Sequence, residues 1–276
     1  MFTINCKGKL ISTEKPIVMG IINATHNSFY KGDLDEGLEG ILKLADKMLN
    51  DGAVILDIGG QSTKPGSEPI SVQTELDRVI PAIEIVHKNF PEAIIAVDTY
   101  QSKVATAAVA AGACMVNDIS AGELDKKMIA VVAGLRVPFV CMHMKGNPQN
   151  MQQQAIYEDI LKEMLDYFIK KIHQCRAAGI KDVIIDPGFG FAKNAEQNFY
   201  LLKNLSVFNI LDCPILAGLS RKSTVYKTLK VTAAEALNGT TVLNTWALNN
   251  GASILRVHDV KEAVEAITLY GQYKIA

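Results

Sequence analysis

Three residues of this 276-residue chain, Asp98, Asn117 and Asp186, offer carboxylate and amide oxygens, and three others, Lys222, Arg256 and His258, offer cationic or neutral N–H donors. The first set suits an amidine-like edge that carries several N–H donors; the second suits an anion. Arg256 and His258 stand two residues apart, so in extended backbone both project to the same side. Gly59-Gly60 permits close backbone approach, and Ser62-Thr63 adds hydroxyls. The implied ligand has a donor-rich polar heterocycle at one end and a phosphate-like group at the other.

These residues share a context. The β-rich runs Ile17–Ile22, Val54–Ile58, Ile94–Val97, Met115–Val116, Pro138–Met142, Val183–Ile185, Pro214–Ala217 and Ser253–Val257 are bounded by Gly, Pro, Asn or Asp. Several are apolar throughout, as strands buried on both faces must be. Polar residues come at the end of each: Asn23 and Thr25, Gly59 to Lys64, Asp98-Thr99, Asn117-Asp118, His143, Asp186, Ser220 to Ser223, and Arg256 with His258. A carboxylate or amide ending a buried strand is costly unless it is paired or faces a ligand. A single such ending is usually an Asp that caps the next helix. Polar endings on every run point instead to one shared rim, the face on which parallel barrels place their chemistry.

Helical segments alternate with the runs. Leu38 to Leu49 repeats at three- and four-residue steps before Gly52, Val72 to Val86 before Pro91, and Ile156 to Ile172 before Gly179, a good helix-ending residue. Thr232 with Glu235 reads as a capping box that opens a helix running past Trp246 to Gly251. Phe2 to Ser12 alternates weakly around Lys7-Gly8-Lys9 and predicts a hairpin closing the bottom of a barrel. The expectation is an α/β protein, a (β/α)8 TIM barrel forming a single domain over 1–276 with a short N-terminal hairpin. An open doubly wound sheet is the alternative.

Bulk composition narrows the function. A formal net charge of −1 gives no global basic field toward nucleic acid or acidic lipid, so a bound anion needs a local cluster. No apolar run reaches the length of a membrane helix, and Met1 to Leu10 lacks a signal pattern. Cys6, Cys114, Cys141, Cys175 and Cys213 are odd in number and lack CxxC spacing, which predicts reduced thiols in a cytoplasmic protein.

The motifs resemble the dihydropteroate synthase family nearly end to end. They are Met19 to Thr25, Asp57 to Gly66, Val97-Asp98-Thr99, Asn117 to Ser120, Met142-His143-Met144, Asp186 to Phe191, Ser220 to Ser223 and Arg256 to Asp259. The resemblance implies that the amine of 4-aminobenzoate displaces diphosphate from 6-hydroxymethyl-7,8-dihydropterin diphosphate in a largely dissociative step. It places Asp98, Asn117, Asp186 and Lys222 at the pterin, and Asn23, Arg256 and His258 at the diphosphate. Thr63, Pro65, Phe191 and Ser223 fall on the 4-aminobenzoate side. Mg2+ as cofactor, with Asn23 as its ligand, and a homodimer are implied as well. The catalytic set it suggests is Lys222, Asn27 and Lys64.

The chain departs from the family where Thr25-His26-Asn27-Ser28-Phe29 replaces Thr-Pro-Asp-Ser-Phe, and where Lys64 replaces an Arg. Asn27 supplies an oxygen without charge, and Lys64 a point charge without a planar fork. Gln61 often appears as Glu in the family, and Ala192 as Gly. Two other functions share the pterin floor: a methylfolate-dependent methyltransferase and a catalytically weakened pterin-binding homologue.

Plainer roles also fit several residues. His143 suits a satisfied core histidine, Asp57 a structural hydrogen-bonding group, Arg221 a salt-bridge partner, and Asp118 and Asp259 turn caps. His87 and His173 fall on helical patterns as surface residues. Arg221 alone offers little to lower the pKa of Lys222 toward Schiff-base chemistry.

Overall fold

The computed structural model describes residues 1–24, 34–64 and 66–276; Asn27, with the rest of the Thr25 to Phe29 motif, and Pro65 lie outside the described residues. The strands are β1 (Thr3–Cys6), β2 (Lys9–Ser12), β3 (Ile17–Asn23), β4 (Ile55–Gly59), β5 (Ile94–Asp98), β6 (Met115–Asp118), β7 (Phe139–Met142), β8 (Val183–Asp186), β9 (Leu216–Ala217) and β10 (Ile254–Val257). The helices are α1 (Leu34–Asn50), α2 (Val72–Asn89), α3 (Ser102–Ala111), α4 (Met128–Leu135), α5 (Ile160–Ala178), α6 (Ala195–Lys203), α7 (Ser223–Leu229), α8 (Leu237–Asn249) and α9 (Val260–Ile275).

Strands β3 to β10 pair in parallel in the order β8-β7-β6-β5-β4-β3-β10-β9. A parallel bridge between Ile185 and Ile215 joins the two ends, with the Ile185 N–H donating to the Pro214 carbonyl at 3.0 Å. The sheet therefore closes into a TIM barrel, and the open-sheet alternative falls. Each strand has two buried faces. Val18, Leu56, Ile95, Val116, Phe139 and Leu255 pack outward against the helices, whereas Met19, Ile55, Ala96, Met115, Val140 and Ile254 fill the interior. A short strand with both faces dry must be apolar throughout, which is why the runs lack alternation.

The antiparallel hairpin β1–β2 supplies Ile4, Cys6 and Ile11 to the interior cluster, so it plugs the end of the barrel where the strands begin. Helix ends follow their local chemistry. Ser71 caps α2 by accepting from the Thr74 N–H, Asp159 caps α5, and Gly179 ends α5 at φ +101°.

Two expectations need correction. Ile156 precedes α5 and is 76% exposed, so it is not part of the buried stripe that begins at Ile160. The Thr232–Glu235 pair forms, with Glu235 accepting from the Thr232 N–H at 2.9 Å, but α8 starts only at Leu237. The Arg221 guanidinium takes the carbonyls of Ala233 and Ala234 at 3.1 and 2.6 Å, and a helix beginning at Thr232 would need those acceptors for its first turn.

If the hairpin is part of the core, Ile4→Ala removes a side chain only 1% exposed and lowers unfolding free energy by about 2–5 kcal/mol. Urea denaturation checks this; a loss below ~1 kcal/mol would show the hairpin to be peripheral.

Candidate active site

Inward parity carries the candidate residues to one rim. Two residues beyond an interior apolar side chain stand Asp57 after Ile55, Asp98 after Ala96, Asn117 after Met115, Asp186 after Ile184 and Arg256 after Ile254. Asn23, Gly59, Asp98 and Asn117 are register partners across β3, β4, β5 and β6, and Asp57 sits deeper, paired with Ile21 and Ala96. Asp118 has the opposite parity. It accepts from the backbone and hydroxyl of Ser120 at 2.8 Å and from the Gly122 N–H at 2.7 Å, so it caps a turn.

One cation ties the floor together. The Arg256 guanidinium donates from Nε to Asp57 Oδ2 and from Nη2 to Asp98 Oδ2, each at 2.6 Å. Burial opposes its charge, but Asp57 and Asp98 more than offset this and raise its pKa. Asn117 donates from Nδ2 to the same Asp57 oxygen at 2.9 Å, which orients its amide. Asp57 Oδ1 is buried without a partner among the described residues. Burial pushes the Asp98 and Asp186 carboxyls upward, against Arg256 at the first and Lys222 at the second.

The loop after β8 is held by side chains. The carbonyls of Gly188 and Phe191 accept from Lys193 Nζ at 3.2 and 3.0 Å, that of Phe189 from Lys222, that of Gly190 from Gln152 at 2.9 Å, and that of Ala192 from the Tyr157 hydroxyl at 2.9 Å. The Gly188 N–H donates to Asp186 Oδ1 at 2.7 Å. Gly188 has φ +68°, and a Cβ there would collide with the His143 carbonyl oxygen, so only glycine fits.

Lys193 is 2% exposed, and burial lowers its pKa to about 7. Its Nζ lies 3.1 Å from His143 Nδ1. His143 is itself buried, edge-on to Tyr167 at 4.9 Å, and supports the loop from behind. Sequence reasoning missed Lys193. The loop closes one bond of its own, from the Phe191 N–H to the Gly188 carbonyl at 3.0 Å, and no local pattern marks Lys193 as the buried donor to the rest, because its enclosure depends on His143 from a distant strand end.

Lys222 faces this loop, 4.7 Å from the Phe191 ring centroid. Its enclosure lowers its pKa to about 8 although Asp186 pulls the other way; the sequence offered Arg221 alone as a cause, whereas the lowering comes from burial and then Arg256. Around the rim, Thr63, Phe191 and Ser223 are half-buried and Lys64 is exposed. His258 stands exposed at the rim; desolvation by its neighbours, then the nearby Arg256, lowers its pKa to about 4, with Arg221 and Lys64 acting the same way, and the cations are the firmer cause for a ring that solvent reaches. Arg221 grips Asp259 through two bonds of 2.8 and 2.7 Å, so both are structural and Asp259 is an ion-pair partner, not a turn cap. His87 and His173 are exposed. Among the described residues no group of three or more His, Cys, Asp or Glu side chains is placed to hold a metal ion. Asn23, at the exposed end of β3, is one neutral oxygen donor. Such a donor fits a Mg2+ that arrives with phosphate oxygens and water, not a resident ion.

The family described as pterin binding enzyme matches residues 19–258. The chain is 42% identical over 264 residues to the dihydropteroate synthase of Escherichia coli K12, a match that covers 95% of this chain and 93% of the relative. The Yersinia pestis dihydropteroate synthase, solved as a sulfonamide drug complex, superimposes with a TM-score of 0.93 at 37% identity over 100% of both chains. The Xanthomonas albilineans enzyme with 4-aminobenzoic acid gives a TM-score of 0.92 at 36% identity, covering 99% of this chain and 98% of the other. With 7,8-dihydropteroate the values are 0.89 and 35%, covering 99% of each. By sequence and by fold, the chain belongs to the pterin-binding enzyme family.

Proposed function

We propose that this protein is a dihydropteroate synthase, joining 6-hydroxymethyl-7,8-dihydropterin diphosphate and 4-aminobenzoate in folate biosynthesis. The observation that carries the reading is the floor of Asp98, Asn117 and Asp186 beside Lys222, in a chain 42% identical to a named synthase. Each floor residue commits one polar atom to the protein: Asp98 Oδ2 to Arg256, Asn117 Nδ2 to Asp57, Asp186 Oδ1 to Gly188. The second carboxylate oxygen of Asp98 and of Asp186, and the single amide oxygen of Asn117, are offered to the N–H edge of the pterin. The relatives are synthases, which sets the methyltransferase reading aside. The substitutions at Asn27 and Lys64 favour a slowed enzyme as the second reading.

In the reaction the bond between the pterin methylene carbon and the diphosphate oxygen breaks, and the electron pair leaves with diphosphate. The amine nitrogen of 4-aminobenzoate then bonds that carbon and loses a proton. The Asp98 and Asp186 carboxylates stabilise the electron-poor pterin, and Lys222 donates to its oxygen and nitrogen edge. Asn23, Arg256 and His258 receive the diphosphate. Asn23 would hold a Mg2+ ion together with the diphosphate oxygens, and that ion would neutralise charge on the leaving group. Thr63, Pro65, Phe191 and Ser223 form the aminobenzoate side, where sulfonamides compete. The whole chain, 1–276, acts as one domain. Its five unpaired thiols support a cytoplasmic location, and no helix among the described residues is long and apolar enough to cross a membrane. A homodimer forms through α8 and α9, whose Val242, Trp246, Leu269 and Tyr273 are 40%, 50%, 71% and 73% exposed.

Mixing the protein with both substrates and Mg2+ releases diphosphate only when 4-aminobenzoate is present; binding of pterin without release would leave the weakened homologue. Lys64→Arg restores a bidentate grip worth ~1 kcal/mol and raises kcat/KM roughly fivefold, and Asn27→Asp speeds diphosphate departure. Unchanged kcat, KM and sulfonamide Ki in both variants would remove the role given to these positions. Because Lys222 loses its proton as pH rises through about 8, kcat/KM falls on that side. Lys222→Arg moves the falling limb to higher pH, and an unmoved limb would assign it to another group. Sedimentation of the wild type shows a dimer that Trp246→Glu dissociates; a wild-type monomer rules the interface out.

A further inference from the structure

We propose that Ser220 is a positioning residue which fixes the tautomer of His258, so that Nε2–H is the donor presented to the diphosphate. This rests on the assignment of His258 to the diphosphate side. Ser220 lies just beyond β9, after Gly218-Leu219, is 5% exposed, and places its Oγ 2.9 Å from His258 Nδ1. The same Oγ accepts the backbone N–H of His258 at 3.2 Å. A hydroxyl has one proton to give. With its oxygen already accepting from the His258 backbone, that proton bonds fully only if Nδ1 is an acceptor. Were Nδ1 protonated, Oγ would face two N–H donors and its own proton would lose this acceptor in a nearly dry position. Which nitrogen of a neutral histidine carries the proton is set by what the other one bonds.

The surroundings keep the ring neutral. Arg256, Arg221 and Lys64 all disfavour a second proton on it, and among the described residues Asp259 favours one. The Asp259 carboxylate is committed to Arg221. His258 therefore serves as a directed neutral donor, and the cationic part of diphosphate binding falls to its neighbours. Arg221 holds Ser220 in register from the other side, since the Arg221 N–H donates to Thr240 Oγ1 at 3.0 Å where the chain turns into α7.

The test uses the full-length protein with 15N-labelled histidine, its His258 signals assigned by difference from His258→Gln. In the free wild type near pH 7, His258 reads as the neutral form with the proton on Nε2. Ser220→Ala yields a mixture of tautomers, raises KM for the pterin diphosphate on the order of tenfold, and leaves KM for 4-aminobenzoate unchanged. Ser220→Thr, which keeps the hydroxyl, restores both readouts. A wild-type ring protonated on Nδ1, or a Ser220→Ala ring still held on Nε2, overturns the proposal. A tautomer that shifts with no change in KM for the diphosphate substrate overturns the role of His258 and leaves the synthase reading standing. A correct tautomer in a protein that forms no dihydropteroate sinks the synthase reading instead.

Discussion

A strand in a closed parallel barrel can point a side chain only toward the helices or toward the axis, and these two directions alternate residue by residue. The site depends on this constraint. Axial positions near the start of the strands are filled by Met19, Ile55, Ala96, Met115, Val140 and Ile254 and sealed by the hairpin. The next axial position on several strands is polar, and water and ligand reach it only from the open end. A single-residue slip in β6 would bring Asp118 to the axis and turn Asn117 toward the helices. The turn cap at Ser120 and the amide bonded to Asp57 would be lost together.

Concentrating acids in this way creates repulsion that Arg256 relieves. One guanidinium serves Asp57 and Asp98, and its planar fork suits two acceptors at once. Buried pairs of this kind contribute little net stability, but removing one member leaves an uncompensated charge, at a cost of about 3–5 kcal/mol. Asp57 thus works through Arg256 and Asn117, shaping what they present, and its remaining oxygen has no partner among the described residues.

Much of the fold was legible because barrel strands are short, apolar and punctuated, and the polar rim was legible because buried carboxylates need a reason. Asp98, Asn117 and Asp186 were found on that ground, and they stand at the ends of β5, β6 and β8, each two residues beyond an interior apolar side chain. The hidden features depend on distant parts of the chain. Lys193 stands just before the Asn194 cap of α6 and looks like a surface residue until Gly188, Phe191 and His143 close around it. The low pKa of Lys222 comes from enclosure, which no local pattern reveals. The Thr232–Glu235 pair misled because a local capping signal cannot report that Arg221, across a loop, has claimed the carbonyls of the next turn.

The loop after β8 also bears on mutational tolerance. Its carbonyls from Gly188 to Ala192 are held by Lys193, Lys222, Gln152 and Tyr157, which come from separate parts of the chain. Losing the donor to a buried acceptor costs about 1–3 kcal/mol, a sizeable share of the roughly 5–15 kcal/mol that keeps a domain folded. A substitution at one of these donor positions therefore costs foldedness as well as loop geometry, so a loss of activity there does not by itself mark a group that touches substrate.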